Sequence, residues 1–110
     1  MEAGTLVLVH LHSPKEKYWG LLLALGPAGV TIRGIDVALF DDWARQCRAG
    51  SEAELGPATL FLPLHRVEKV FEDARIGTVA AYNERFFEMV GKDVRSVLLL
   101  ETGRSEGPLQ

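Results

Sequence analysis

Three histidines and a few arginines and lysines are the residues of this chain whose types could do chemistry. His10 and His12 stand two apart, so an extended strand puts both imidazoles on one face. His65 lies far along the chain. Together, His10, His12 and His65 could offer a metal three neutral nitrogens, a set suited to zinc, copper or iron. No carboxylate or cysteine stands at a supporting spacing, so solvated histidines at a strand end and a turn are the competing expectation. His65-Arg66 is the most plausible binding pair, because guanidinium grips carboxylates or stacks on bases and imidazole donates or accepts. Its plain alternative is a solvated turn paired with Glu68 or Asp73. Arg33-Gly34-Ile35-Asp36 could bring a cation and a carboxylate to a strand end, but a strand end, a bulge and a helix cap are the better account of it. Cys47 with a histidine could form a nucleophile pair, but its neighbours Trp43 and Ala44 at helical spacing argue for an inert core thiol. Asp41-Asp42 and Glu52 with Glu54 read as solvated acids rather than an acid–base pair.

The elements that must position these residues follow from periodicity. Thr5 to Leu11 reads as a first strand, apolar on both faces, which requires cover on both sides. Tyr18 to Leu25 and Val30 to Ile35 read as a hairpin around Gly26-Pro27-Ala28-Gly29. Asp36 is the expected cap of a helix carrying Phe40, Trp43, Ala44 and Cys47, with acids early, bases late and Gly50 as its stop. Ala58 to Leu62 and Arg66 to Phe71 read as two more strands flanking Pro63-Leu64-His65. Thr78 is expected to cap a helix with Val79, Tyr82, Phe86 and Val90 on its apolar stripe and Gly91 at its end. Phe87 falls off that stripe and suggests a second contact surface. Asp93 is expected to cap a last short helix through Leu100, and 101–110 to form a flexible tail.

This order and spacing resemble the Sm-like family of small β-barrels, and bacterial proteins that add a C-terminal helix to such a barrel. Gly20 stands at the family's second-strand glycine, after Val7, Val9 and Leu11. Leu62, Val67 and Val70 match the apolar spacing of its second segment. Pro63-Leu64 replaces the family's Arg-Gly, His65 its polar Asn, and Leu25-Gly26-Pro27 lacks its Asp/Asn pair. Those are the positions that hold RNA bases in family members. The resemblance covers roughly residues 5–72 and implies a five-stranded, bent antiparallel barrel. With a helix inserted between strands three and four and C-terminal helices, the expected domain spans residues 1–100. An open α+β sheet covered on one face by the helices is the competing architecture. The resemblance also implies a dimer or a ring.

Composition narrows the function classes. Hydrophobic residues make up 47% and charged residues 25% of 110 residues, as expected of one globular domain. The net charge of −3 argues against broad electrostatic binding to nucleic acid or anionic lipid. A single cysteine permits no internal disulfide and fits a reducing cytoplasm. No apolar run approaches the length of a membrane span, and Met1-Glu2-Ala3-Gly4 lacks a secretory pattern. The expectation is therefore a cytoplasmic, non-enzymatic binding or assembly module that self-associates and carries no cofactor. The first alternative is an RNA-binding barrel using Arg33, His65, Arg66 and Lys69. The second is a protein or enzyme with a metal held by the three histidines.

Overall fold

The computed structural model describes residues 1–50 and 55–98. The chain runs β1 (Leu6–Leu11), β2 (Glu16–Gly26), β3 (Gly29–Asp36), α1 (Phe40–Ala49), β4 (Ala58–Pro63), β5 (Val67–Glu72) and α2 (Tyr82–Val90). A final helix, α3, covers 94–98 within the described residues. One antiparallel sheet holds all five strands in the order β4-β3-β2-β1-β5. The first three strands form a meander, and β5 returns to pair with β1.

The sheet buries both faces, each by a different device. On one face Leu6, Leu8, Trp19, Leu21 and Ile35 pack against Phe40, Trp43 and Ala44 of α1, Phe86 of α2, and Val94 and Leu98 of α3. On the other, Val7, Val9, Leu11, Leu22, Val30, Ile32 and Leu62 pack on one another with no helical residue among them. Val7, Val9, Val30 and Ile32 are nevertheless fully buried, so the sheet must curl over its own inner face. The two apolar faces of β1 are thus both covered within one chain, which removes that strand as an argument for a partner subunit.

Curling needs weak points in the pleat. Register shifts occur in β2 between Leu22 and Ala24 and in the β1–β5 pair at His10/Leu11. Gly20 and Gly34 are directly opposed on β2 and β3. A Cβ on Gly20 would lie 2.6 Å from the Cα of Gly34 and still closer to the Arg33 carbonyl oxygen. The two backbones approach where neither residue carries a side chain.

The expected closed barrel is not what the strands form, since β4 and β5 are opposite edges and do not pair. A 3-10 turn over Leu64–Arg66 carries the chain between them. Its ends are held by Leu64 N–H donating to the Ala28 carbonyl and His12 N–H to the Arg66 carbonyl, each at 2.9 Å.

Helix boundaries follow their caps. Asp36 caps a 3-10 turn (Val37–Leu39) through Ala38 N–H at 2.8 Å, and that turn leads into α1. Gly50 ends α1 in the left-handed region at φ 73°. The expected cap at Thr78 is incorrect. Ile76 and Val79 bridge each other, Val79 is exposed, and α2 begins only at Tyr82. Asp93 does cap α3, accepting from Arg95 N–H at 2.9 Å. The expected continuation through Leu100 and the expected tail lie outside the described residues. No helix among the described residues is long and apolar enough to cross a membrane.

Candidate functional site

Sequence reasoning grouped the histidines, but the strands separate their roles. His10 lies partly buried on the helix-side face, its ring edge-on to Phe71 with centroids 5.0 Å apart. His12 is exposed, with Nδ1 3.2 Å from Ser13 Oγ. His65 is exposed on the 3-10 turn. Among the described residues, no three His, Cys, Asp or Glu side chains come together as metal ligands. The three-imidazole centre therefore lacks its geometry.

The four residues expected to bind RNA do not form one surface either. Arg33 is buried, at 8% exposure, and pairs in register with Leu21 and Thr59 on the helix-side face. Its Nη1 lies 3.4 Å from Thr59 Oγ1. Lys69 sits across from His10, four residues along β1 from the Leu6 that pairs with Leu21, or about 13 Å of strand. Arg66 is already engaged. Its Nε donates to the His12 carbonyl at 3.1 Å, and one terminal nitrogen donates to the Pro14 carbonyl at 2.8 Å and to Glu16 Oε1 at 2.9 Å. It fastens the β1–β2 loop and pairs with neither Glu68 nor Asp73. Arg33 and Asp36 also part company. Arg33 shares a row with Leu21 on the helix side, while Asp36 opposes Tyr18, which packs on the inner core.

What β1, β2 and β5 do assemble is a cationic row. Lys17, His10 and Lys69 are cross-strand partners in one register line. At the β1–β5 irregularity Leu11 pairs with Val67 rather than Glu68, leaving that acid out of the ladder. Burial holds the His10 imidazolium pKa below its usual value, and the charges of Lys17 and then Lys69 lower it further, against an opposing pull from Glu68. Among the described residues neither lysine has an ion pair. Singly, these residues carry no motif, and only the strand register aligns them.

Asp73 is the residue that sequence reasoning most misjudged. It is buried at 6% exposure just past β5. Its Oδ2 accepts from Trp19 Nε1 at 3.0 Å, Asn83 N–H at 2.9 Å and Asn83 Nδ2 at 2.8 Å, and Oδ1 accepts from Tyr82 N–H at 2.8 Å. This carboxylate joins the sheet to the start of α2, where the helix dipole favours negative charge. Glu84 completes the cap by accepting from Ala81 N–H at 2.8 Å, and that bond lowers its carboxyl pKa, aided by Arg75 against desolvation.

A cleft of about 510 Å³ opens beside Asp73. Glu72, Glu84, Glu88 and Asp93 line it with Arg95 and the exposed ring of Phe87, the residue that fell off the helical stripe. Arg95 donates to the Gly4 carbonyl. Cys47 packs half-buried against the helix-side core, as its spacing indicated. Asp41 pairs with Arg85 and Asp42 with Arg45, whereas Glu52 and Glu54 fall outside the described residues. No protein-family model, curated protein or solved structure matches this chain.

Proposed function

We propose that this chain is a non-enzymatic assembly module on an open, Sm-like bent sheet, and that it self-associates along β4. The Sm-like reading draws support from the strand order, the return of β5 to β1, the 3-10 corner after β4 and the glycine at position 20.

One observation carries the association. β4 is an edge strand with no charged residue, and Phe61 on it is 56% exposed. Edges of this kind template pairing with another chain unless charge or cover blunts them. β5, the opposite edge, is blunted by Glu68, Lys69 and Glu72. A second copy is the occupant that fits. Antiparallel β4–β4 pairing about a two-fold axis brings no like charges together and satisfies both edges at once. Sedimentation at micromolar concentration is expected to give a dimer, and Ala58→Lys with Phe61→Lys a folded monomer. A wild-type monomer refutes the reading. A closed ring retains self-association and replaces the two-fold pairing with β4–β5 joining.

A further inference from the structure

We propose that the row Lys17–His10–Lys69 is a binding site for phosphate-bearing anions. The inference stands independently of the β4 interface.

Three strands bring the row together. Adjacent strands lie about 4.8 Å apart, so the row presents two ammonium groups flanking an imidazole across roughly 10 Å. Like charges set opposite one another cost a sheet stability, because each disfavours the charged form of its neighbours. Here that cost is offset only in part, by Glu68. Neither lysine has an ion pair among the described residues, and Glu68, the nearest opposing charge from β5, is the residue left out of the ladder. A doubly or multiply charged oxyanion supplies what the row lacks. Ammonium groups contact phosphate as point charges, and imidazolium adds a directed N–H donor.

The groups facing His10 are Lys17 from β2, and Lys69, Glu68 and Phe71 from β5. Phe71 closes one side of the imidazole edge-on. His12 lies in the turn just past β1 and is exposed. Bound phosphate would offset the two repulsions and favour the imidazolium, so binding raises the His10 pKa from its lowered value and is accompanied by proton uptake at that ring.

The test is a proton–nitrogen NMR titration of the intact chain with sodium tripolyphosphate and, separately, a six-nucleotide RNA, against sodium chloride at matched ionic strength. Binding is expected to shift resonances of His10, Lys17 and Lys69 and to raise the His10 pKa. Lys17→Gln and Lys69→Gln should each weaken affinity about tenfold, the loss of one charge-assisted contact. Glu68→Gln should tighten it, a gain that misfolding cannot imitate. Tighter binding of tripolyphosphate identifies a small polyphosphate as the source, and tighter binding of RNA a nucleic-acid backbone. No binding of either at millimolar concentration overturns the proposal. So does binding that is indifferent to all three substitutions.

Discussion

Asp73 shows how much of this molecule turns on single polar atoms. Its two oxygens receive two backbone N–H groups and one amide from the start of α2, and one indole from Trp19, 54 positions away. Replacing it by Asn keeps the shape but turns one acceptor into a donor facing donors. Asp73→Asn is therefore expected to cost about 2–3 kcal/mol, read as a lower midpoint in a denaturant titration. A loss below about 0.5 kcal/mol would show that water serves these donors equally well. The fully buried Trp43 offers a contrast, since its Nε1 makes no hydrogen bond among the described residues. From sequence, Asp73 looked like a turn residue available to His65-Arg66. Nothing in local spacing reveals that its partners are Trp19, 54 positions away, and the start of α2. The role of Arg66 was hidden in the same way, since the His12 and Pro14 carbonyls that it binds carry no side-chain signature. Cys47 was legible because its role, packing on an apolar stripe, is written in helical periodicity.

At the scale of elements, alternation and punctuation did most of the work. The five strands fall within about two residues of their expected bounds, because each is rich in β-branched or aliphatic residues and most have a glycine or proline near a boundary. The start of α2 failed because half of its cap, Asp73, comes from just past the end of β5, nine residues before Tyr82. Asp73 and Glu84 satisfy the first N–H groups, so Thr78 is left in a turn. The failed His10–His12–His65 grouping has a related cause, since β1 ends at Leu11 and its pairing shifts at His10/Leu11, so strand alternation does not fix where His12 faces. The bend of the sheet rests on Gly20 opposite Gly34. Gly34→Ala would press a Cβ onto the Trp19 carbonyl oxygen and to 2.9 Å from Gly20 Cα. Backbone cannot swing aside as a side chain can, so the substitution is expected to cost about 3 kcal/mol, the upper end of overpacking. Gly26→Ala meets nothing within 4 Å and serves as the control. Equal midpoints for the two variants in thermal melts would remove the close approach as the source of curvature.

For the whole molecule, the decisive arrangement is one strand shared by two cores. β1 contributes Leu6 and Leu8 to the helix side and Val7, Val9 and Leu11 to the inner side. Unfolding either core exposes the other through β1, so the domain should melt as one cooperative unit. With both faces filled, the uncharged edge β4 is where a second copy can still stabilise the fold. In the proposed dimer, association would couple to folding by mass action, because only native chains would pair. If the native state is dimeric, a tenfold rise in protein concentration should raise Tm by about 2–5 °C. The Phe61→Lys variant should lose that dependence while melting, at low concentration, close to the wild-type monomer, since the Phe61 ring is already half exposed. Scanning calorimetry across a concentration series reads both quantities. A wild-type Tm that does not move would place folding and association in separate steps and leave β4 an edge protected by some other means. A variant whose Tm still climbs with concentration would instead locate the contact away from β4.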